Sequence, residues 1–318
     1  MGCALTMKTL ERQWLHSNAE RWNDKKIFLS MKYSNYFDIK RKIELLKKLS
    51  ARNAMPNEFI PLLENLLLDK IEIKGFPLDD QFIYRARKNE ADRLFTDTDE
   101  LKHPKSSSVK GRMNDEGESF FYGALCELGT IYELVPAIGS LFTISKINKL
   151  KGIPLFLIAG LLDDPRSPIP KNSTEKAIYN YLHGELVKVT TTVDEYNSTI
   201  AISRLLLNKG LVAPEDYALC GLAYPSVQMA RGVANVRTFN IGMKGEVFDD
   251  NFYIKEISVY CLTLEVNCYQ LNEVNHGEIA EDGRITWMYS FSEMQQRMQN
   301  GLTSDGSFVE NLKKHALS

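Results

Sequence analysis

The chain has 318 residues, 44% hydrophobic and 25% charged, which is enough for a sizeable core in one large domain or two modest ones. This composition excludes a disordered chain, and a formal net charge of −2 excludes any global attraction to nucleic acid. Five cysteines, odd in number and without a CxxC pair, argue against a zinc site or disulfide framework and fit a reducing cytosol.

The amino terminus is basic. Residues 1–52 hold twelve Lys/Arg against five Asp/Glu, so they carry +7 and the remainder carries −9. Solvated faces of amphipathic helices explain this more simply than contact with nucleic acid, an anionic surface or an acidic partner. Met1-Gly2-Cys3-Ala4-Leu5-Thr6 fits the loose N-myristoylation consensus, but the pattern is short and Met7 would serve equally as a start. No signal peptide precedes Lys8, Glu11 and Arg12, and the longest apolar run, Gly152 to Leu162, is too short to span a bilayer. A cytoplasmic protein without membrane attachment is expected.

Residues 7–70 read as helical. Ile39, Ile43, Leu46 and Leu49 recur at helical spacing, and Phe59, Leu62, Leu63, Leu66 and Leu67 follow the turn signal at Pro56-Asn57. The spacing predicts an amino-terminal helical unit over residues 1–78, with a boundary near Gly75-Phe76-Pro77. A second domain is expected over 79–318. In it Phe82 to Arg85 reads as a strand, and Thr96 to Lys110 as an exposed loop. Phe120 to Leu125 and Ile138 to Ile147 are further strands. Asn172-Ser173-Thr174-Glu175 starts a capped helix over 174–186, and another helix spans Asp194 to Asn208. Strands dominate from Leu219: Val236 to Ile241, Phe252 to Val266 and Ile285 to Phe291. Helix returns at Phe291 to Met294. Strands and a few helices without regular βαβ alternation make the fold class α+β.

Several residues could carry chemistry. Arg85 and Arg87 alternate with Tyr84 and Ala86, so both guanidinium groups share one strand face. They repel each other unless an anion or carboxylates lie between them, although a salt-bridged strand surface is the commoner case for such a pair. Gly111-Arg112-Met113-Asn114 reads equally as a phosphate-approaching loop or a plain turn before the Phe120-Phe121-Tyr122 strand. Glu133 lies in the apolar stretch Thr130 to Val135, where an exposed helix position is the simpler account and a charge beside a reacting sugar the functional one. Tyr224-Pro225-Ser226 offers a hydroxyl on a proline-restricted turn, with the Asn235 amide downstream. No G-x-S-x-G elbow is present, so Ser226 reads as a positioning hydroxyl and not a nucleophile. His16, His103, His183, His276 and His315 are scattered without ligand spacing, and no metal is expected.

Taken together and in this order, the patterns resemble the RES-domain family, which includes toxins of bacterial type II toxin–antitoxin pairs. The family arginine falls on Arg85, its Gly-Arg-x-Asn element on Gly111, Arg112 and Asn114, and its strand tyrosine on Tyr122. Its glutamate, eleven residues later, falls on Glu133. Its Tyr-Pro-Ser element falls on Tyr224-Pro225-Ser226, and its Gly-x-Asn element, slightly stretched, on Gly232 to Asn235. The resemblance covers about residues 80–245. Met113 stands where family members often carry tryptophan, and Arg87 has no firm counterpart.

The resemblance implies an ADP-ribosyltransferase-like fold with a split β-sheet core, carrying the helical unit at its amino terminus and a strand-rich extension beyond residue 245. It implies NAD⁺ as a substrate, with no separate cofactor, and cleavage of the nicotinamide–ribose bond or transfer of ADP-ribose to a protein. Glu133 would act on the ribose, Arg85 and Arg112 would hold phosphates, Tyr122 would stack on a ring, and Ser226 with Asn235 would fix the nicotinamide side. Arg87 would share or replace the role of Arg85, and Asn114 belongs to the same binding set. The expected biological role is a toxin or defence effector that depletes NAD⁺, with a small antitoxin that occludes the cleft. A homo-oligomer is compatible with this, and contacts with nucleic acid or membrane are not expected. Two other readings stay open: mono-ADP-ribosylation of a protein, and a catalytically inactive member that binds NAD⁺ or a partner.

Overall fold

In the computed structural model, the described residues are 36–67, 71, 74–79, 81–90, 93–134, 137–160, 167–208, 217–227, 239–265 and 268–299. Of the stretch 7–70 expected to be helical, residues 7–35 lie outside the described residues. Helix α1 (Tyr36–Ala51) buries Ile39, Ile43 and Leu46 on one face, and the Asp38–Lys42 pair closes at 2.6 Å on another. Asn53, at φ 52°, turns the chain in the left-handed region that asparagine tolerates. Pro56 then opens α2 (Pro56–Leu67), where a missing N–H costs nothing.

The remaining elements alternate less regularly. Strands β1 (Gly75–Pro77), β2 (Ile83–Lys88) and β3 (Phe120–Ala124) precede helix α3 (Glu127–Leu134). Strands β4 (Leu141–Lys149) and β5 (Ile153–Ile158) follow, then α4 (Ser173–Val187), a 3₁₀ turn at Val193–Tyr196 and α5 (Asn197–Asn208). Asn172 caps α4 through its side-chain oxygen, which accepts from the Glu175 amide at 2.9 Å. The chain returns through β6 (Tyr217–Pro225), β7 (Phe239–Lys244), α6 (Gly245–Asn251), β8 (Phe252–Glu265), β9 (Cys268–Ile279), β10 (Ile285–Trp287) and α7 (Phe291–Gln299). The protein is therefore α+β.

All ten strands join one sheet in the order β1-β5-β6-β7-β3-β2-β4-β8-β9-β10. Only β5 and β6 run parallel among the described residues, because α4 and α5 supply the crossover between them. The junction of β2 with β3 is unlike the others. β2 pairs along all six residues with β4, but it meets β3 at a single register position, Tyr84↔Ala124. The sheet is thus two five-stranded halves, β1-β5-β6-β7-β3 and β2-β4-β8-β9-β10, held at a narrow seam.

Strand alternation sends successive side chains of β3 to opposite faces, Phe120 into one apolar cluster and Phe121 into another. Burying a side chain of this size contributes about 1.5–3 kcal/mol. The first cluster is continuous from α1 and α2 through α4 and α5 to the sheet. Ile39, Phe59 and Leu63 share it with Leu182, Leu205, Met113 and Tyr224. No break in the core separates the helices expected to form an amino-terminal unit from the rest of the fold. On the second half-sheet α3 sits over β4 and β8, its Ile131 packed with Phe142, Ile144 and Leu262. The loop expected over 96–110 is partly ordered by a 3₁₀ turn at Thr98–Glu100, and Leu101 there is fully buried.

Candidate active site

The seam opens into a cleft of about 370 Å³. Arg85 and Ala86 reach it from β2, Tyr122, Gly123 and Ala124 from β3, and Thr130, Glu133 and Leu134 from α3. Tyr224 enters from β6 and Asn240 from β7, while Arg112 and Tyr196 come from the connections. Two strands that diverge after one shared pair leave space between them, and small residues at positions 86, 123 and 124 keep that space unfilled.

Glu133, on the wall of this cleft, meets Ser226 behind it. The Ser226 hydroxyl donates to Glu133 Oε1, joining residues 93 apart in sequence. Ser226 is buried, whereas Glu133 lies near the exposed end of α3. One carboxylate oxygen is fixed by this bond, which orients the charge and leaves the other oxygen able to face a ligand.

Arg85 bridges the seam. Its Nη1 donates to the Tyr122 carbonyl at 2.7 Å, a side-chain link where the β2–β3 ladder has stopped. Its guanidinium carbon lies 5.2 Å from the centroid of the Phe121 ring. Its Nε is buried without a hydrogen-bond partner, and among the described residues no carboxylate pairs with it. Burial, reinforced by Arg87, pulls its pKa down to about 10, which leaves it charged at neutral pH. A cation held this way gains strongly from an anion entering beside it.

The other predicted residues divide. The Tyr122 ring lines the cleft, but its hydroxyl points into the preceding loop, donating to Asn114 Oδ1 at 2.8 Å and accepting from the Met113 amide at 2.8 Å. Burial raises its pKa well above the ordinary phenol value. Asn114 is itself buried and donates to the Asp115 carbonyl at 3.0 Å, so it shapes the loop behind the cleft instead of lining it. Gly111 is required at its position because a Cβ there would collide with Asn114 Oδ1 and Tyr122 Oη.

Arg112 lines the cleft and stacks 5.3 Å from the Tyr196 ring centroid. Its Nη1 donates to the Leu186 carbonyl at 2.8 Å and to the Lys188 carbonyl at 3.3 Å, closing the carboxy-terminal end of α4. Arg87 is turned to the Glu100 carbonyl and the Phe95 ring, away from the cleft lining. Asn235 lies outside the described residues.

No protein-family model matches this chain, and neither a curated protein nor a solved structure does.

Two cleft residues were not singled out in the sequence. Tyr196 sits in a short 3₁₀ turn whose place beside Arg112 depends on long-range packing. Asn240 is a polar residue at a buried strand position between Phe239 and Ile241, and that interruption was the available sign. Among the described residues no cluster of three or more His, Cys, Asp or Glu could hold a metal ion. The cleft therefore offers an oriented carboxylate, a half-buried arginine whose Nε has no hydrogen-bond partner, a second arginine and three tyrosines. These groups can bind an aromatic, anionic ligand and stabilise positive charge that develops next to Glu133.

Proposed function

We propose that the protein cleaves the nicotinamide–ribose bond of NAD⁺. The observation that carries this reading is the Ser226–Glu133 bond, set in the same cleft as Arg85, Arg112 and Tyr122. Of the residues that resemble the RES-domain pattern, Arg85, Arg112, Tyr122, Glu133 and Tyr224 line one cavity, which supports this reading. The one-pair seam between half-sheets is compatible with the split-sheet, ADP-ribosyltransferase-like core that the resemblance implies.

The chemistry asks little beyond electrostatics. Nicotinamide departs as a neutral base taking the bonding electron pair, so no general acid is needed. The ribose carbon becomes oxocarbenium-like, and the Glu133 carboxylate stabilises it. Water then adds at that carbon and releases a proton, giving ADP-ribose. Arg85 would meet a phosphate oxygen through the part of its guanidinium that faces the cleft, and the Tyr122 ring would support a base or ribose. Glu133 also stands at the exposed end of α3, which leaves room for a protein acceptor in place of water.

Purified protein should release nicotinamide from NAD⁺, and Glu133→Gln should lower the rate by about 10²–10³-fold, since glutamine keeps the Ser226 bond but removes the charge. Unchanged turnover in Glu133→Gln would remove the central claim. With labelled NAD⁺ in cell lysate, a discrete labelled protein band would assign transfer, and free ADP-ribose alone would assign hydrolysis. One observation favours a binding-only reading: Arg112 already serves the α4 carbonyls, so phosphate must compete for it. Calorimetric NAD⁺ binding without nicotinamide release over long incubation would establish that reading.

A further inference from the structure

Asn240 lines the cleft from β7 with 4% of its surface exposed, and its side-chain oxygen is buried without a hydrogen-bond partner. The amide hydrogen-bonds the Tyr224 side chain, its register partner across β6 and β7. Buried polar atoms are nearly always paired, and an unmet acceptor on a cavity wall is completed by an N–H or O–H from whatever fills the cavity.

Its position selects the part of the ligand it meets. Ser226 follows Tyr224 by two residues and bonds Glu133. Asn240, opposite Tyr224, thus stands at the Glu133 end of the cleft. In the reading proposed above, on which this inference rests, Glu133 faces the ribose carbon that loses nicotinamide. The hydroxyls of that ribose face Glu133 in the same reading, so the nearest remaining donor is the carboxamide N–H of nicotinamide. The adenine amino group is the other such donor in NAD⁺, but two phosphates and a second ribose separate it from that carbon.

We infer that Asn240 Oδ1 accepts a hydrogen bond from the carboxamide NH₂ of nicotinamide and makes the cleft selective for that amide. A site built around a hydrogen bond discriminates strongly against an analogue that lacks the donor, because its own buried group is then left unpaired. Turning the Asn240 amide over would present a donor instead, and any carbonyl on the ring would satisfy it. The two arrangements predict different substrate preferences.

The test compares NAD⁺ with its 3-acetylpyridine analogue, which keeps the carbonyl and replaces NH₂ by methyl, and with its hypoxanthine analogue, which lacks the adenine amino group. Wild-type protein should cleave the acetylpyridine analogue with kcat/KM lowered at least about tenfold and the hypoxanthine analogue within about threefold of NAD⁺. Asn240→Ala should bring NAD⁺ and the acetylpyridine analogue within about threefold of each other. Free nicotinamide should also inhibit the wild type more strongly than free 3-acetylpyridine, a comparison that needs no variant. Equal use of the two substrates, equal inhibition, or discrimination that persists in a folded Asn240→Ala would overturn the inference. Loss confined to the hypoxanthine analogue would assign Asn240 to adenine. Absence of any NAD⁺ cleavage defeats the underlying reading and this inference with it, whereas cleavage without discrimination defeats this inference alone.

Discussion

A carboxylate oxygen that already accepts from Ser226 is held in one orientation, so Ser226 acts on the reaction through Glu133. Ser226→Ala should lower kcat about tenfold with little change in KM, less than the loss expected for Glu133→Gln, and should cost about 1 kcal/mol of stability through the deleted buried bond. Steady-state kinetics beside thermal denaturation separates these effects; a KM change alone would place Ser226 in ground-state binding. Much of this residue set was legible in the sequence. Arg85 and Tyr122 lie on strands, where a two-residue period states which way a side chain points. The role given to Arg112 was less legible: its loop approaches α4, so the guanidinium meets the Leu186 and Lys188 carbonyls. Nothing in residues 111–114 encodes where a helix 74 residues later will end. Asn240 escaped for a related reason, since its unmet oxygen is a property of the assembled cavity and not of its neighbours in sequence.

At the scale of elements, α3 carries Glu133 at one end and Glu127 at the other. Burial, with the charges of Glu273 and Glu256, raises the Glu127 pKa above its ordinary 4.5 despite the opposing Lys146. A raised carboxyl pKa means the folded protein holds the proton more tightly than the unfolded chain. The stability this residue contributes is therefore complete below pH 4.5 and is lost as pH rises through the folded value. Glu127→Gln should raise the melting temperature at pH 7, and the gain should shrink toward pH 4. Equal gains at both pH values would show that shape and not charge is responsible. Helices α4 and α5 were readable because Asn172 supplies a side-chain cap and the apolar residues keep a helical period. The place of α3 was not readable from its eight residues, which are apolar enough for a strand and become a helix above Phe142 and Leu262.

Across the whole molecule, the amino-terminal helices share a core with the cleft wall. Ile39, Phe59 and Leu63 lie in the same apolar cluster as Tyr224, and the Ser50 hydroxyl of α1 donates to Glu185 of α4 at 3.4 Å. A chain reduced to residues 80–318 would expose Leu182, Leu186, Leu205 and Leu206 from that cluster. It should be insoluble or lack a cooperative melting transition; soluble, folded protein with NAD⁺ cleavage would establish two separable units. A break near residues 75–77 is suggested by a real change of pattern from helical to strand period. Hydrophobic period reports the local element, whereas domain independence depends on which surfaces face each other, and amphipathic helices read the same in both cases.

The seam at Tyr84↔Ala124 has a consequence for backbone protons. Past that pair, β2 keeps its ladder only toward β4, so its amides alternate between protected and solvent-facing along one strand. Deuterium uptake at single-residue resolution should show this alternation from Arg85 to Lys88, fast and slow exchange on successive residues, in contrast to uniformly slow exchange across the β4–β8 pairing. A ligand that lies in the cleft across the seam would supply the shield that β3 does not. The fast amides should then slow while the slow ones stay unchanged, which would make strand β2 a built-in reporter of occupancy.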